Sequence, residues 1–158
     1  FYERMISMIA IGSDHAGYHL KESIKKHLDK KGIQYKDFGC HSEERAEYAS
    51  YAEKVANAVS SGEYEKGLLF CGTGIGMSIA ANKVKGIRAV VCSECYSAIM
   101  SGRHNDANIL ALGGRVVGVD LAAMIADMWL DTPFEGGRHK ARVDMISEIE
   151  GKNIQKGC

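Results

Sequence analysis

Apolar positions along the chain follow two alternating rhythms. Short unbroken runs at Met8–Gly12, Tyr35–Phe38, Gly67–Cys71, Ile87–Cys92 and Ile109–Leu112 read as strands. The run at 67–71, GLLFC, carries no charge, as a strand covered on both faces of a parallel sheet requires. Between these runs the apolar residues recur every three or four positions. Tyr18–Lys31 sets Leu20, Ile24 and Leu28 on one face among Lys, Glu and His, which predicts an amphipathic helix. Gly32 follows where a helix end favours left-handed backbone. Tyr48–Ser60 repeats Ala52, Val55, Ala56 and Val59 on one face. Ile75–Lys83, Glu94–Gly102, Leu121–Leu130 and Glu135–Glu150 complete the helices, the last two marked by Leu121, Ile125 and Trp129 and by Met145 and Ile149.

Five strands separated by helices predict an α/β fold, a three-layer α/β/α sandwich around a mostly parallel, Rossmann-like sheet. One domain over residues 8–150 accounts for the pattern. Residues 1–7 (FYERMIS) are expected to be an upstream remnant, with Met5 or Met8 as the start, and 151–158 a frayed C-terminal tail.

Composition narrows the functions. Lys and Arg number 20 and Asp and Glu number 20, so bulk charge recruits neither nucleic acid nor a membrane surface. A small anion held by a few local cations stays open. No apolar stretch is long enough to span a bilayer, and no signal-peptide pattern is present. The 18 glycines against one proline, Pro133, point to regular elements joined by tight turns.

Cys40, Cys71, Cys92, Cys95 and Cys158 are odd in number and irregular in spacing, which predicts free thiols and a cytoplasmic setting. Cys92 and Cys95 form a lone C-x-x-C without the two further ligands a structural zinc needs. The plainer reading puts Cys92 at a strand end and Cys95 near the start of the next helix.

In such folds ligands bind beyond the carboxyl ends of the strands. Ser13-Asp14-His15-Ala16-Gly17 sets a carboxylate beside an imidazole there, although helix capping explains Ser13 or Asp14 equally well. Cys71-Gly72-Thr73-Gly74-Ile75-Gly76 follows the buried strand. Its glycines let backbone N–H groups converge on an anion, and a thiol at a helix start gains thiolate character. The order G-x-G-x-G matches neither a dinucleotide fingerprint nor a P-loop. A third loop, Arg103 to Asn108, gathers Arg, His and two Asn before strand Ile109–Leu112 and Gly113-Gly114-Arg115. Arg138 and Arg142 are four apart on the last helix, a spacing that suits a phosphate monoester, or else a solvated face paired with Asp144 and Glu148. This inventory fits proton transfer on a small phosphorylated substrate, with no metal cluster and no cofactor.

GSDHAG, FCGTGIGMSIAANKV, GIRAVVC, RHNDANILALGGRVVG and GGRHKARV, in this order between Met8 and Ile149, resemble the type B ribose-5-phosphate isomerases, whose wider family includes galactose-6-phosphate isomerase subunits. The resemblance implies metal-free aldose–ketose isomerisation of ribose 5-phosphate through a cis-enediolate. It also implies a homodimer or tetramer whose active sites are shared between subunits. By motif, Cys71 is the base between C2 and C1, and Thr73 assists at the substrate oxygens. The amides of Gly72, Gly74, Ile75 and Gly76 cradle the enediolate. Asp14 and Tyr48 hold sugar hydroxyls, His104 opens the furanose with Asn105 beside it, and His15, Arg115, Arg138 and Arg142 take the phosphate. His104, Asn105 and Arg115 are expected from the neighbouring subunit. The glutamate that replaces the cysteine in one branch falls at Met77, so the chain is of the cysteine type. Ala49 stands where the family often has proline.

Two other readings remain. A six-carbon sugar phosphate would be admitted if 38–48 and 93–103 shape a longer pocket. A phosphosugar-binding regulator would keep Arg138 and Arg142 but has no need of Cys71 with Thr73.

Overall fold

A computed structural model describes residues 8–154 and 156; the proposed N-terminal remnant, 1–7, and Cys158 lie outside them. Five strands, β1 (Ile9–Ser13), β2 (Tyr35–Asp37), β3 (Gly67–Cys71), β4 (Ala89–Val91) and β5 (Ile109–Gly113), form one sheet in the order β2-β1-β3-β5-β4. Every pairing is parallel. The helices are α1 (Tyr18–Lys30), α2 (Tyr48–Ser60), α3 (Ile75–Ala81), α4 (Cys95–Asn105), α5 (Val119–Leu130) and α6 (Arg138–Ile154).

β1, β3 and β5 are buried at every position. Their alternate side chains feed two cores. Ile9, Ile11, Leu68, Phe70, Leu110 and Leu112 pack against Leu20, Ile24 and Leu28 of α1, Ala98 of α4 and Ile125 and Trp129 of α5. Ala10, Leu69, Ile109 and Ala111 face Ala52, Val55 and Val59 of α2 and Met77 and Ala81 of α3. That is the three-layer sandwich. Burying each large apolar side chain stabilises it by about 1.5–3 kcal/mol. Among the described residues no helix is long and apolar enough to cross a membrane.

Several boundaries differ from the sequence pattern, each for a local reason. The strand expected over Ile87–Cys92 shrinks to Ala89–Val91. Side chains take the backbone groups before it: Asn108 Oδ1 accepts from Arg88 N–H and Asn82 Oδ1 from Ala89 N–H, both at 2.8 Å. The last helix begins at Arg138 rather than Glu135, because Gly136 and Gly137 take φ of +68° and +54°. It also runs through Gly151 to Ile154, so the first half of the expected tail is helical. Glu150 holds that end by accepting from the Gly86 amide at 3.1–3.2 Å.

The largest correction concerns Arg103, His104 and Asn105. They are not in a loop beyond a strand's carboxyl end but in the last turn of α4, which Asp106 terminates with φ +49°. Because α4 returns antiparallel to the strands, this turn lies at the sheet's amino edge. Asn108 anchors it there, its carbonyl accepting from Gly67 N–H at the start of β3.

One charged cluster is built into the packing. Lys21 is fully buried, yet its ammonium donates to both Asp37 oxygens (2.8 and 3.0 Å) and to Cys40 O. Lys25 donates to Asp37 Oδ2 at 2.8 Å. Burial would raise the Asp37 carboxyl, but Lys21, Lys25 and the Gly39 amide outweigh it and hold it below the usual range. A depressed carboxyl stabilises the fold above its unfolded pKa and loses that contribution as pH falls through its folded value. Asp37→Asn should therefore cost ~3–5 kcal/mol at pH 7, the usual cost of breaking a buried pair. In denaturant titrations the gap to wild type should close as pH drops below about 4. A gap unchanged at low pH would refute the carboxylate's role.

Candidate active site

The strand order places a switch point between β1 and β3, since β1 connects outward to β2 and β3 connects toward β4 on the other side. Crevices at such points, beyond the carboxyl ends, bind ligands in open α/β sheets. The loops after β1, β3 and β5 converge there. A Cβ on Gly17 would stand 2.1 Å from Phe70 O, so only glycine lets the β1 loop lie against the end of β3. The register sets Cys71 beside Gly113, and Gly114 N–H donates to Cys71 O at 2.8 Å.

Cys71 is 5% exposed at the last residue of β3. The backbone turns back over it through Gly74, whose φ of +80° is left-handed and ends in the first turn of α3. This turn aims the Gly74 N–H at the sulfur, with N···Sγ 3.0 Å. The contact fixes the sulfur against the start of α3. The Gly74 amide, expected in the enediolate cradle, is thus engaged with sulfur instead. Ile75 N–H, also assigned to the cradle, donates to Thr73 Oγ1 at 3.2 Å, while the Thr73 side chain is exposed. Gly72 and Gly76 border the same turn. Met77 is buried in the core, as an apolar occupant of that position would be.

Around the sulfur lie groups from neighbouring loops. Asp14 is 6% exposed and its Oδ1 accepts from Gly17 N–H at 3.0 Å, closing the turn before α1; the N-cap of α1 is Gly17 and no side chain caps the helix, so neither Ser13 nor Asp14 does. His15 Nδ1 lies 3.2 Å from Ala46 N and 3.3 Å from Ala46 O, tying the β1 loop to the segment before α2. Tyr48, the first residue of α2, lays its ring over Gly76, where a Cβ would come within 2.9 Å of it. The family resemblance implies Arg115 as a cation near the phosphate, supplied by a neighbouring subunit. Its guanidinium instead sits over Gly72 of the same chain, 3.5 Å from where a Cβ would be, because Arg115 N–H donates to Gly72 O.

His104, Asn105, Arg138 and Arg142 form a second group at the other edge. His104 stacks on His139 with ring centroids 4.2 Å apart and planes 11° from parallel. Glu135 N–H donates to Arg103 O, fastening the approach to α6 to the end of α4. Arg138 and Arg142 are exposed, and among the described residues neither has an ion-pair partner; Asp144 pairs with Lys140 instead, at 2.5–2.8 Å. The five-residue strands separate this group from Cys71 by roughly 15 Å or more within one chain.

Two features escaped the sequence reading. His139 is buried beside Val143 on the inner face of α6, and its i, i+4 relation to Val143 was the available signal. The Lys21–Asp37 pair carried none, since a lysine in an amphipathic helix reads as exposed. At the C-x-x-C, Cys92 follows β4 and Cys95 opens α4 as expected; burial and then Glu94 push the Cys92 thiol up to about 11, unlike a redox-active cysteine.

A sequence profile of the Ribose/Galactose Isomerase family matches residues 9–146. Ribose-5-phosphate isomerase B of Escherichia coli K12 is 56% identical over 142 residues, 90% of this chain and 95% of that protein. A putative sugar phosphate isomerase of Bacillus subtilis, YwlF, is 50% identical over 92% of this chain and 99% of its own length. Among solved structures, ribose-5-phosphate isomerase B of Clostridium thermocellum superposes with a TM-score of 0.92 at 57% identity, covering 93% of this chain and 99% of that one. With the sheet, the switch-point cysteine and these matches together, the chain belongs to the ribose/galactose isomerase family, as a type B member and an isomerase.

Proposed function

We propose that the chain interconverts ribose 5-phosphate and ribulose 5-phosphate, with Cys71 as the base and no metal in the proton transfer. The observation that carries this reading is the Gly74 N–H held on Cys71 Sγ at a switch point walled by Asp14, His15, Thr73 and Arg115. A C–H next to a carbonyl is a weak acid, so its removal needs a poised base and a stabilised oxyanion. The Cys71 thiolate takes the proton from C2 of the open-chain aldose. The electron pair forms the C1–C2 double bond and the carbonyl π pair moves onto O1, giving the cis-enediolate. The proton on sulfur exchanges with solvent, a proton is then delivered from sulfur to C1, and the C2 hydroxyl proton passes to O1. Thr73 Oγ1 and the amides of Gly72 and Gly76 would donate to the two oxygens. Each such donor is worth about 3–4 kcal/mol of transition-state stabilisation.

The phosphate needs cations and the furanose needs an acid/base to open it. Arg115 and His15 lie on the Cys71 side, whereas His104, Asn105, Arg138 and Arg142 lie at the opposite edge. One copy therefore holds two half-sites, and a second copy completes each. Tyr96 of α4 and Met145 and Ile149 of α6 are 72%, 61% and 59% exposed, apolar surface that a second copy would cover. In the assembly a remote phosphate clamp fixes C1 and C2 against the sulfur.

Cys71→Ala should lower turnover of ribose 5-phosphate by ~10²–10⁴-fold or more while sugar-phosphate binding persists. In deuterium oxide the wild-type product should carry deuterium at C1, and near-wild-type turnover of the variant would refute the assignment. The assay should include five- and six-carbon aldose phosphates with EDTA present; a clear preference for a hexose phosphate would replace the substrate while leaving the base. Gly74→Ala strains a left-handed residue and brings a Cβ within 2.8 Å of Val91 Cγ2. Its turnover of ribose 5-phosphate should fall at least about tenfold while the protein stays folded by circular dichroism; wild-type turnover would show that the Gly74 turn does not position the sulfur.

A further inference from the structure

The stacked pair at the amino edge is more than a packing contact. One ligand atom each of His104, Glu135 and His139 lie within 4.8 Å of one another. His139 is 4% exposed, and its Nε2 is buried without a hydrogen-bond partner. A buried ring nitrogen left unpaired is unfavourable unless something occupies it.

We propose that His104, Glu135 and His139 form a three-ligand site for a nitrogen-preferring divalent cation of the Zn²⁺ class, and that the bound ion removes His104 from sugar-ring opening. The second half rests on the ring-opening role read for His104; the first half does not. Two imidazoles and one carboxylate, with a coordination position left for water, make a donor set that zinc accepts and magnesium or calcium does not favour. Ligand distances of ~2.0–2.1 Å require the donor atoms to close to roughly 3.3 Å from one another. Glu135 is exposed and His104 half-buried, so these two can move toward the fixed His139. His104 must tilt out of its stack to do so. Arg138 and Arg142 repel the incoming charge, offsetting Glu135, so affinity comes from coordination rather than from long-range attraction.

The test is titration of the whole protein with Zn²⁺ against a chromophoric chelator, repeated with Mg²⁺, Ca²⁺ and Co²⁺. One equivalent of Zn²⁺ should bind, Mg²⁺ and Ca²⁺ should not compete, and the Co²⁺ complex should lack thiolate charge-transfer absorption. Glu135→Gln, at an exposed loop position that folding tolerates, should weaken Zn²⁺ by roughly 10–100-fold, as should His139→Gln. Zn²⁺ should inhibit wild-type isomerisation, EDTA should restore it, and Glu135→Gln should turn over normally while resisting the ion. Equal Zn²⁺ affinity in wild type and Glu135→Gln, or a thiolate band with Co²⁺, would overturn the site. Binding at these residues with turnover untouched would keep the site and overturn the silencing of His104. Because binding is read without substrate, its failure is distinct from failure of the isomerase reading.

Discussion

In a parallel sheet every strand ends at the same edge, and each helix carries the chain back to the other. That constraint sorts the functional residues of this protein before any chemistry is considered. What directly follows a strand (Asp14, His15, Cys71, Thr73, Arg115) gathers at the carboxyl edge. What closes α4 or opens α6 (His104, Asn105, Arg138) gathers at the amino edge. No side-chain rotation bridges a five-residue strand. The proposal that one sugar phosphate uses both groups therefore carries with it a second copy of the chain.

The carboxyl-edge group is assembled by close backbone contacts more than by side-chain bonds. The β1 loop reaches the end of β3 only because residue 17 is glycine, and the turn through Gly74 both closes the loop and presents its amide to the sulfur. The Lys21–Asp37 cluster fastens the far wall. It grips Cys40 O after β2, a few residues before Ala46, which contacts His15, and Tyr48, which covers Gly76. Fold stability and site shape thus share a buried charge cluster.

Much of this was legible in the residues. The two-rhythm pattern delivered five strands and six helices, and the charge-free GLLFC announced the central strand. The glycine alternation after Cys71 signalled the turn that reaches the sulfur. What failed was the placement of groups whose neighbours decide their structure. Arg103-His104-Asn105 reads as a polar loop, yet the helix continues until Asp106 accepts left-handed backbone. Arg115 reads as a partner's cation, yet a short backbone hydrogen bond folds it over Gly72. Tertiary contacts fix both, and the local sequence does not encode them.

The central claim is that two copies share each reaction centre. It is tested most directly by mixing inactive Cys71→Ala and His104→Ala proteins, exchanging subunits, and assaying ribose 5-phosphate turnover. Hybrids pair one intact carboxyl edge with one intact amino edge, so random exchange between dimers should restore roughly a quarter of wild-type activity. A mixture whose hybrids are verified by native mass spectrometry, yet which stays as inactive as its parents, would contradict the account.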